Sequence, residues 1–250
     1  MLSSVDDVLW PSRIVLRRIA QHIAGDIVMS DKPGLALRKW REIFAASQVE
    51  VARHMGVTSS VISDYEKGRR QPGSLFVKRF VEALLEIDSE RGSPVTRRLA
   101  RILQLHYLGA VIDMRDFEAG IPLDAVINAV QGVPVNSYIP QELLYGYTVI
   151  DSVRAIMMLS GNEFLYLLGS TTQRVVVFTK VTTGRSPMIA LRVSTIKPAA
   201  IVLHGPKRLD PLAIWIAESE NVPVVLSMCS SVEELVKRLQ KLSSSPQGVG

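Results

Sequence analysis

The run GVTSSVISDYEKGRRQP at residues 56–72 constrains the fold of this chain more than any other stretch. Gly56 stands where a preceding helix must stop and reverse, a backbone conformation that glycine adopts without steric cost. Thr58 follows as an N-cap. In the helix that it opens, Val61, Ile62 and Tyr65 fall on one face and leave Ser59, Ser60, Ser63, Asp64 and Lys67 free. Gly68 ends that helix, Arg69 and Arg70 follow as a basic pair, and Pro72 opens the approach to another helix. Upstream, residues 37–44 (LRKWREIF) are amphipathic at helical spacing, and Ser47 is placed to cap a second helix, QVEVARHM. Two short helices thus lead through a tight turn into a third whose outer face is short-chained and polar, the layout of a helix-turn-helix.

Residues from about 35 to 87 resemble the helix-turn-helix of the Cro/cI-type repressors, the XRE family. The likeness rests on Ser47-Gln48, Ala52, Gly56-Val57-Thr58, Ile62-Ser63, Tyr65-Glu66, Gly68-Arg69-Arg70 and Pro72. The segments ALRKWREIF, SSVISDYEKGRR and TKVTTGRSPMIALRVS together resemble a group of archaeal transcriptional regulators of similar length, which carry an extra N-terminal helix and an α/β C-terminal domain. The resemblance implies a two-domain protein: an all-α, lambda-repressor-like domain followed by an α/β domain, here with a mixed sheet. Its implied partner is double-stranded DNA, with the third helix in the major groove and its first turn nearest the base edges. Carried onto the matching positions, Thr58, Ser59, Ser60, Ser63 and Asp64 line the DNA face. Gln48 bonds phosphate at the start of the second helix, and Lys67, Arg69 and Arg70 supply charge. Serine hydroxyls both donate and accept, so they discriminate bases weakly beside the longer side chains many relatives have there. Asp64 either accepts from a cytosine amino group or pairs with a neighbouring arginine, and the pairing is favoured. One such domain touches too little DNA for selective occupancy, so a homodimer on half-sites about one helical turn apart is expected, with repression as its default action. The C-terminal sheet and the first helix are both candidate dimer surfaces.

Composition agrees. The chain has 250 residues, enough for two ordinary domains, and at 47% hydrophobic it is expected to be disordered only at its ends. No apolar run approaches the roughly 18–20 residues that cross a bilayer. Asp6 and Asp7 stand where a signal peptide is basic, so a cytoplasmic location without a membrane partner is expected. Cys229 is the only cysteine; it excludes an internal disulfide and a cysteine-based zinc cluster and reads as a small buried hydrophobe. Residues 1–110 hold 17 Lys+Arg against 12 Asp+Glu, and residues 111–250 hold 12 of each, so the net charge of +5 belongs wholly to the half with the turn. A basic domain joined to a neutral one suits phosphate-backbone binding.

The spacing predicts five segments: an N-terminal helical piece (1–34), the helix-turn-helix domain (35–90), a helical connector (91–140), an α/β dimerisation or effector domain (141–242) and a disordered tail (243–250). The first helix runs over 12–28 with Ile14, Ile19, Ile23 and Ile27 near one stripe, and packs on the bundle or serves as a dimerisation element or basic arm. Asp31-Lys32-Pro33-Gly34 reads as a turn and SLFVKRFVEALLEI as the fourth helix of the small core. A helix from 95 to about 107 turns Leu99, Ile102 and Leu103 inward, and a shorter one spans 116–131. Then the period changes: RVVVFTKV, MIALRVS, AAIVLHG and VPVVLS read as strands. Asp210-Pro211 starts a helix, Ser230-x-x-Glu233 makes a capping box for the last one, and AAIVL–helix–VPVVL is a βαβ crossover with parallel strands.

This crossover faintly resembles nucleotide-sensing α/β modules such as the DRTGG domain, whose motif is absent. The loop TTGRSPM, read as lying between two strands, gathers Thr182, Thr183, Gly184, Arg185 and Ser186, which together with His204 at a strand end form a candidate site for a small anionic effector; a plain hairpin turn is the simpler reading. No phosphate-loop or dinucleotide fingerprint accompanies it. Neither catalytic residues, nor a metal, nor a cofactor are expected. The four histidines (22, 54, 106 and 204) form no ligand spacing, and an enzyme would have to assemble from Asp151, Arg185, His204 and Asp210 without a motif. The alternatives are a protein-recruited bridging factor or antitoxin with nonspecific DNA binding and, behind these, an α/β nucleotide-binding enzyme.

Overall fold

A computed structural model describes residues 12–138, 142–169 and 173–244. The expected tail lies outside the described residues from 245 onward, as do Asp6 and Asp7. The chain divides into two compact units, residues 1–106 and 107–250.

The first unit is helical: α1 (Arg13–Val28), α2 (Pro33–Ile43), α3 (Gln48–Met55), α4 (Ser59–Glu66), α5 (Ser74–Glu90) and α6 (Pro94–Ile102). The first three begin for local reasons. Ser12 accepts from the Val15 amide to cap α1, and Pro33 sits in the first turn of α2, where its missing N–H costs nothing. Ser47 and Glu50 form a reciprocal capping box on α3, which Gly56 ends at φ 64°. Apolar stripes at helical spacing then fill one core: Val15, Ile19, Ile23 and Ile27 of α1 are buried with Leu37, Trp40, Val51, Ile62, Phe80 and Leu84. α1 therefore packs on α2, α5 and α6 as part of this bundle.

Three details differ from the sequence reading. Gly34 belongs to α2, not to the turn before it, and a Cβ there would meet the Tyr65 and Glu66 carbonyl oxygens at 2.4 and 2.8 Å; glycine lets α2 touch the end of α4. Thr58 occupies the N-cap position without capping: its Oγ1 pairs with Ser60 Oγ at 2.9 Å. α6 stops at Ile102, which is exposed, and it packs on α1 and α5, so no separate helical connector spans 91–140. The buried Asp88 carboxylate holds α6 in place by accepting from the Val95 and Thr96 amides at 3.0 and 2.8 Å.

The second unit has β1 (Val111–Ile121), α7 (Leu123–Ala129), β2 (Gly132–Pro134), β3 (Leu144–Asp151), α8 (Ser152–Met158), α9 (Gly161–Gly169), β4 (Val175–Thr179), α10 (Arg185–Val193), β5 (Ala200–His204), α11 (Pro211–Glu220), β6 (Val224–Ser227) and α12 (Val232–Ser244). Among the described residues the sheet runs β1-β3-β4-β5-β6-β2: the four central strands are parallel and the two edge strands antiparallel. The expected parallel crossover through α11 is present. Central strands such as VVVFT and AIVLH are buried on both faces, hence their unbroken β-branched character. Val149, Val175, Val177, Ala200 and Val202 join α7 and α12 in one core, while the alternate residues Phe178 and Leu203 face the helices of the crossovers.

Here local pattern misleads. Residues 116–131 are not one helix: β1 runs to Ile121 because it pairs antiparallel with β3, burying Phe117 and Ile121, and only α7 is helical. MIALRVS is not a strand: Gly184 at φ 82° and Pro187 start α10, whose Met188 and Leu191 are buried at helical spacing. The last capping pair is Ser231 with Glu234, one residue beyond the expected one. The unit boundary accordingly falls at 106/107, well ahead of the α/β domain start expected at 141. Cys229 is buried, its thiol donating to the Val130 carbonyl.

The capping box yields a pH prediction. The Glu50 carboxylate accepts from the Ser47 amide at 2.8 Å and from Arg91 at 2.6 Å, while the Ser47 hydroxyl beside it accepts from the Glu50 amide at 3.1 Å; Ser47 first and then Arg91 hold the carboxyl down to about 2. A carboxyl depressed in the folded state contributes fully above its unfolded value and loses the contribution as pH falls through the folded one. Glu50→Gln is therefore expected to lower the urea midpoint near neutral pH, with the gap to wild type closing between pH 4.5 and 2. A gap constant across that window in a pH series of urea titrations would count against this assignment.

Candidate nucleic-acid interface

The site is built from the inside outward. Ile62 and Glu66, four residues apart, form the buried stripe of α4. Arg41 of α2 meets Glu66 in a two-pronged contact, Nε to Oε1 at 2.6 Å and an η nitrogen to Oε2 at 3.0 Å, and its other η nitrogen donates to the Ala46 carbonyl at 2.9 Å. Gln48 of α3 donates to Glu66 Oε2 at 2.8 Å. Three helices are thus tied to one buried carboxylate, which holds the Arg41 guanidinium more firmly charged than usual. Beyond it, Tyr65 stacks on Phe76 of α5 with ring centroids 3.7 Å apart.

In this clamp one N–H of the Gln48 side-chain amide is committed to Glu66, a contact that its sequence position did not announce. Sequence reasoning also missed Arg41 and Glu66 as a pair. The available signal was a charged residue, Glu66, on the apolar stripe of a short helix, where an unpaired carboxylate is not tolerated.

Outside the clamp, Thr58, Ser59, Ser60, Lys67, Arg69 and Arg70 are exposed, and Ser63 and Asp64 are half-buried. Asp64 pairs with Arg69 at 3.2 Å and lies 3.9 Å from Arg70, as the sequence favoured. Both arginines remain more than half exposed. Gly68 at φ 72° turns the chain after α4, with the Gly68 and Arg69 amides returning to the Tyr65 and Asp64 carbonyls. The result is a rigid helix whose outward turn carries hydroxyls and whose far end carries three cations. On the flank, His54 bonds the Glu50 carbonyl and Glu90, which raises its pKa.

The other candidate site is not assembled as expected. Thr182, Thr183, Gly184, Arg185 and Ser186 join β4 to α10 and form no hairpin between strands. Arg185 pairs with Asp210 at 2.9 Å and neighbouring Lys180 with Asp151 at 2.7 Å, and both cations stay more than half exposed. His204 turns to the opposite face of the sheet, where its Nδ1 meets Ser227 Oγ at 3.3 Å and burial lowers its pKa. Strand alternation separates it from Gly184, which lies against Leu203. Among the described residues no group of three or more His, Cys, Asp or Glu side chains gathers as a metal site, and no helix is long and apolar enough to cross a membrane.

A helix-turn-helix with its cations at one end of an exposed α4, followed by an α/β unit, defines a class of DNA-binding regulator. A family model described as a helix-turn-helix domain matches residues 34–106. An uncharacterized HTH-type transcriptional regulator of Archaeoglobus fulgidus is 44% identical over 227 residues, spanning 90% of this chain and 97% of that protein. A second, from Methanocaldococcus jannaschii, is 42% identical over 236 residues, covering 92% and 96%. The chain belongs to this family of archaeal HTH-type transcriptional regulators. Among solved structures, the CBS and DRTGG domains of the regulatory region of Clostridium perfringens pyrophosphatase, complexed with diadenosine tetraphosphate, are 12% identical with a TM-score of 0.35 over 47% of each chain, a likeness too slight to bear on ligand or mechanism.

Proposed function

We propose that this regulator is a sequence-specific repressor that binds double-stranded DNA as a homodimer, with the exposed face of α4 in the major groove and the α/β unit serving dimerisation or effector sensing. The observation that carries the reading is the Arg41–Glu66–Gln48 clamp, which fixes α4 from behind while Ser59 and Ser60 stay exposed in front and Lys67, Arg69 and Arg70 stand at its end. Ser59, Ser60 and Ser63 read base edges, Thr58 adjoins them through Ser60, and the three cations contact phosphate. Asp64 orients Arg69 and Arg70. Gln48 contributes by holding Glu66. The function is non-enzymatic and requires no cofactor.

The test is selection from random duplex DNA with the full chain, followed by salt titration on the recovered sequence. A palindrome is expected, and Arg69→Ala should weaken binding to all sequences alike and lower the slope of log K against log salt by about 1 per protomer. Ser60→Ala should change preference with little change in slope. Equal slopes for wild type and the Arg69 variant would count against the placement of that arginine. The short side chains at 59, 60 and 63 favour one other reading, a partner-recruited factor with nonspecific DNA affinity, for which steep salt dependence without any recovered motif is the signature. A small anionic effector at 182–186 would meet the Gly184-capped start of α10 and the exposed Arg185, without His204, which lies on the other face of the sheet.

A further inference from the structure

The α/β unit contains a cavity of about 410 Å³ at the carboxyl-end side of β3 and β4, within the range of small-molecule sites. It is bounded by α8, the start of α9, β4 and α10. Its walls are Ala155, Leu159, Phe164, Phe178, Ala190 and Val193, and Phe164 and Phe178 lie nearly parallel, 20° apart with centroids at 6.2 Å. Among the described residues the polar lining comprises Ser152, Ser160, Asn162 and Ser186, none of them ionised. Ser160 is engaged as a helix cap with Glu163, whereas Ser152, also in the lining, has a buried Oγ without a hydrogen-bond partner, a capacity that a polar ligand atom can meet. Location is a further pointer: open α/β sheets hold ligands beyond the carboxyl ends of their parallel strands.

From these features we propose that the cavity is a binding site for an uncharged, mainly hydrocarbon small molecule of about two fused rings carrying one hydrogen-bonding group. An anion meets no counter-charge among the described lining residues, and its desolvation would oppose entry. A planar apolar ring fits against the paired phenylalanines, and its polar atom reaches Ser152 at the wall. The site lies within the second unit, and its occupancy is measured without DNA, so the DNA-binding reading stands or falls separately.

The probe is N-phenyl-1-naphthylamine, a neutral fused-ring amine whose fluorescence rises in apolar surroundings, titrated into the full-length protein. The expected result is a saturable rise with one site per chain, unchanged by millimolar ATP or inorganic phosphate. Ala190→Phe, from a half-buried wall position, should weaken binding at least tenfold while leaving the circular dichroism spectrum and the DNA affinity as in wild type. A methyl NMR titration of the unsubstituted chain locates the probe independently of any variant: shifts are expected at Ala155, Ile156 and Ala190, and none at Val202 or Val225 on the other face of the sheet. No saturable rise, undiminished affinity in the variant, shifts centred elsewhere, or displacement by ATP would each overturn the proposal. Probe release as chain concentration rises at constant probe excess would assign the cavity to a second copy and overturn it as well.

Discussion

Arg41→Ala is expected to destabilise the helical unit by about 3–5 kcal/mol, because it leaves a buried carboxylate without its counter-ion. Glu66 is 5% exposed and accepts from Arg41 and Gln48. With the guanidinium removed, one amide remains to solvate a full charge, and the Ala46 carbonyl loses its donor as well. The structural consequence is specific. α4 is only eight residues long, and its orientation depends on the tie between its last turn and α2. Such a helix gains little stability from its own hydrogen bonds and depends on tertiary packing. Loss of the tie should therefore raise amide exchange in α3 and α4 first and abolish selective DNA binding, though no DNA contact has been removed. Hydrogen exchange with DNA titration checks both; native protection of α4 in the variant would sink the clamp as the device that sets the reading face. Replacing both partners with apolar residues of similar volume, Arg41→Met with Glu66→Leu, should recover much of the stability, as removing a whole buried pair does.

In the α/β unit the largest effect is expected at Asn136, a loop residue 8% exposed. Its side-chain amide donates to the Ala217 and Val222 carbonyls at 3.2 and 2.9 Å, and its oxygen accepts from the Val224 amide at 2.9 Å. Ala217 lies in the last turn of α11, whose carbonyls have no intrahelical partner, and Val224 opens β6. One side chain thus satisfies the reversal from helix to strand at the β2 edge of the sheet. Asn136→Ala leaves these three buried backbone groups unpaired, at a cost of about 3 kcal/mol. The urea transition of the α/β unit should shift accordingly and protection of the Val224 amide should fall, while exchange in α1 through α6 stays as in wild type. An unchanged transition would mean that solvent reaches these groups and the asparagine is dispensable.

The difference between what was readable in the chain and what was not follows the range of the forces involved. Gly56, Ser47 and the apolar spacing of α3 and α4 act within a few residues, and the helix-turn-helix they announce is present. Asp210-Pro211 and the AIVLH and VVLS strands are local in the same sense, and the crossover they define is parallel as expected. Where two local patterns compete, the sequence was ambiguous. VIDMRDFEAGI carries no clear period, and only its pairing with β3 makes it a strand; MIALRV has strand-forming residues, yet a glycine cap and inward-facing Met188 and Leu191 make it a helix.

By itself, then, the sequence determined the class of the protein, the helix-turn-helix, the cations that follow α4 and the basic-to-neutral division of charge, because these are set by neighbours along the chain. The tertiary structure decided that Gln48 serves Glu66, that Arg41 holds α4 from another helix, that Gly34 is small to admit the end of α4, and that His204 lies across the sheet from the loop at 182–186. Each of these joins residues separated by 18 or more positions, or turns on which face of a strand a side chain takes. Spacing alone does not encode such choices; burial does, because a charge or a carbonyl removed from water takes whichever partner the packed fold brings to it.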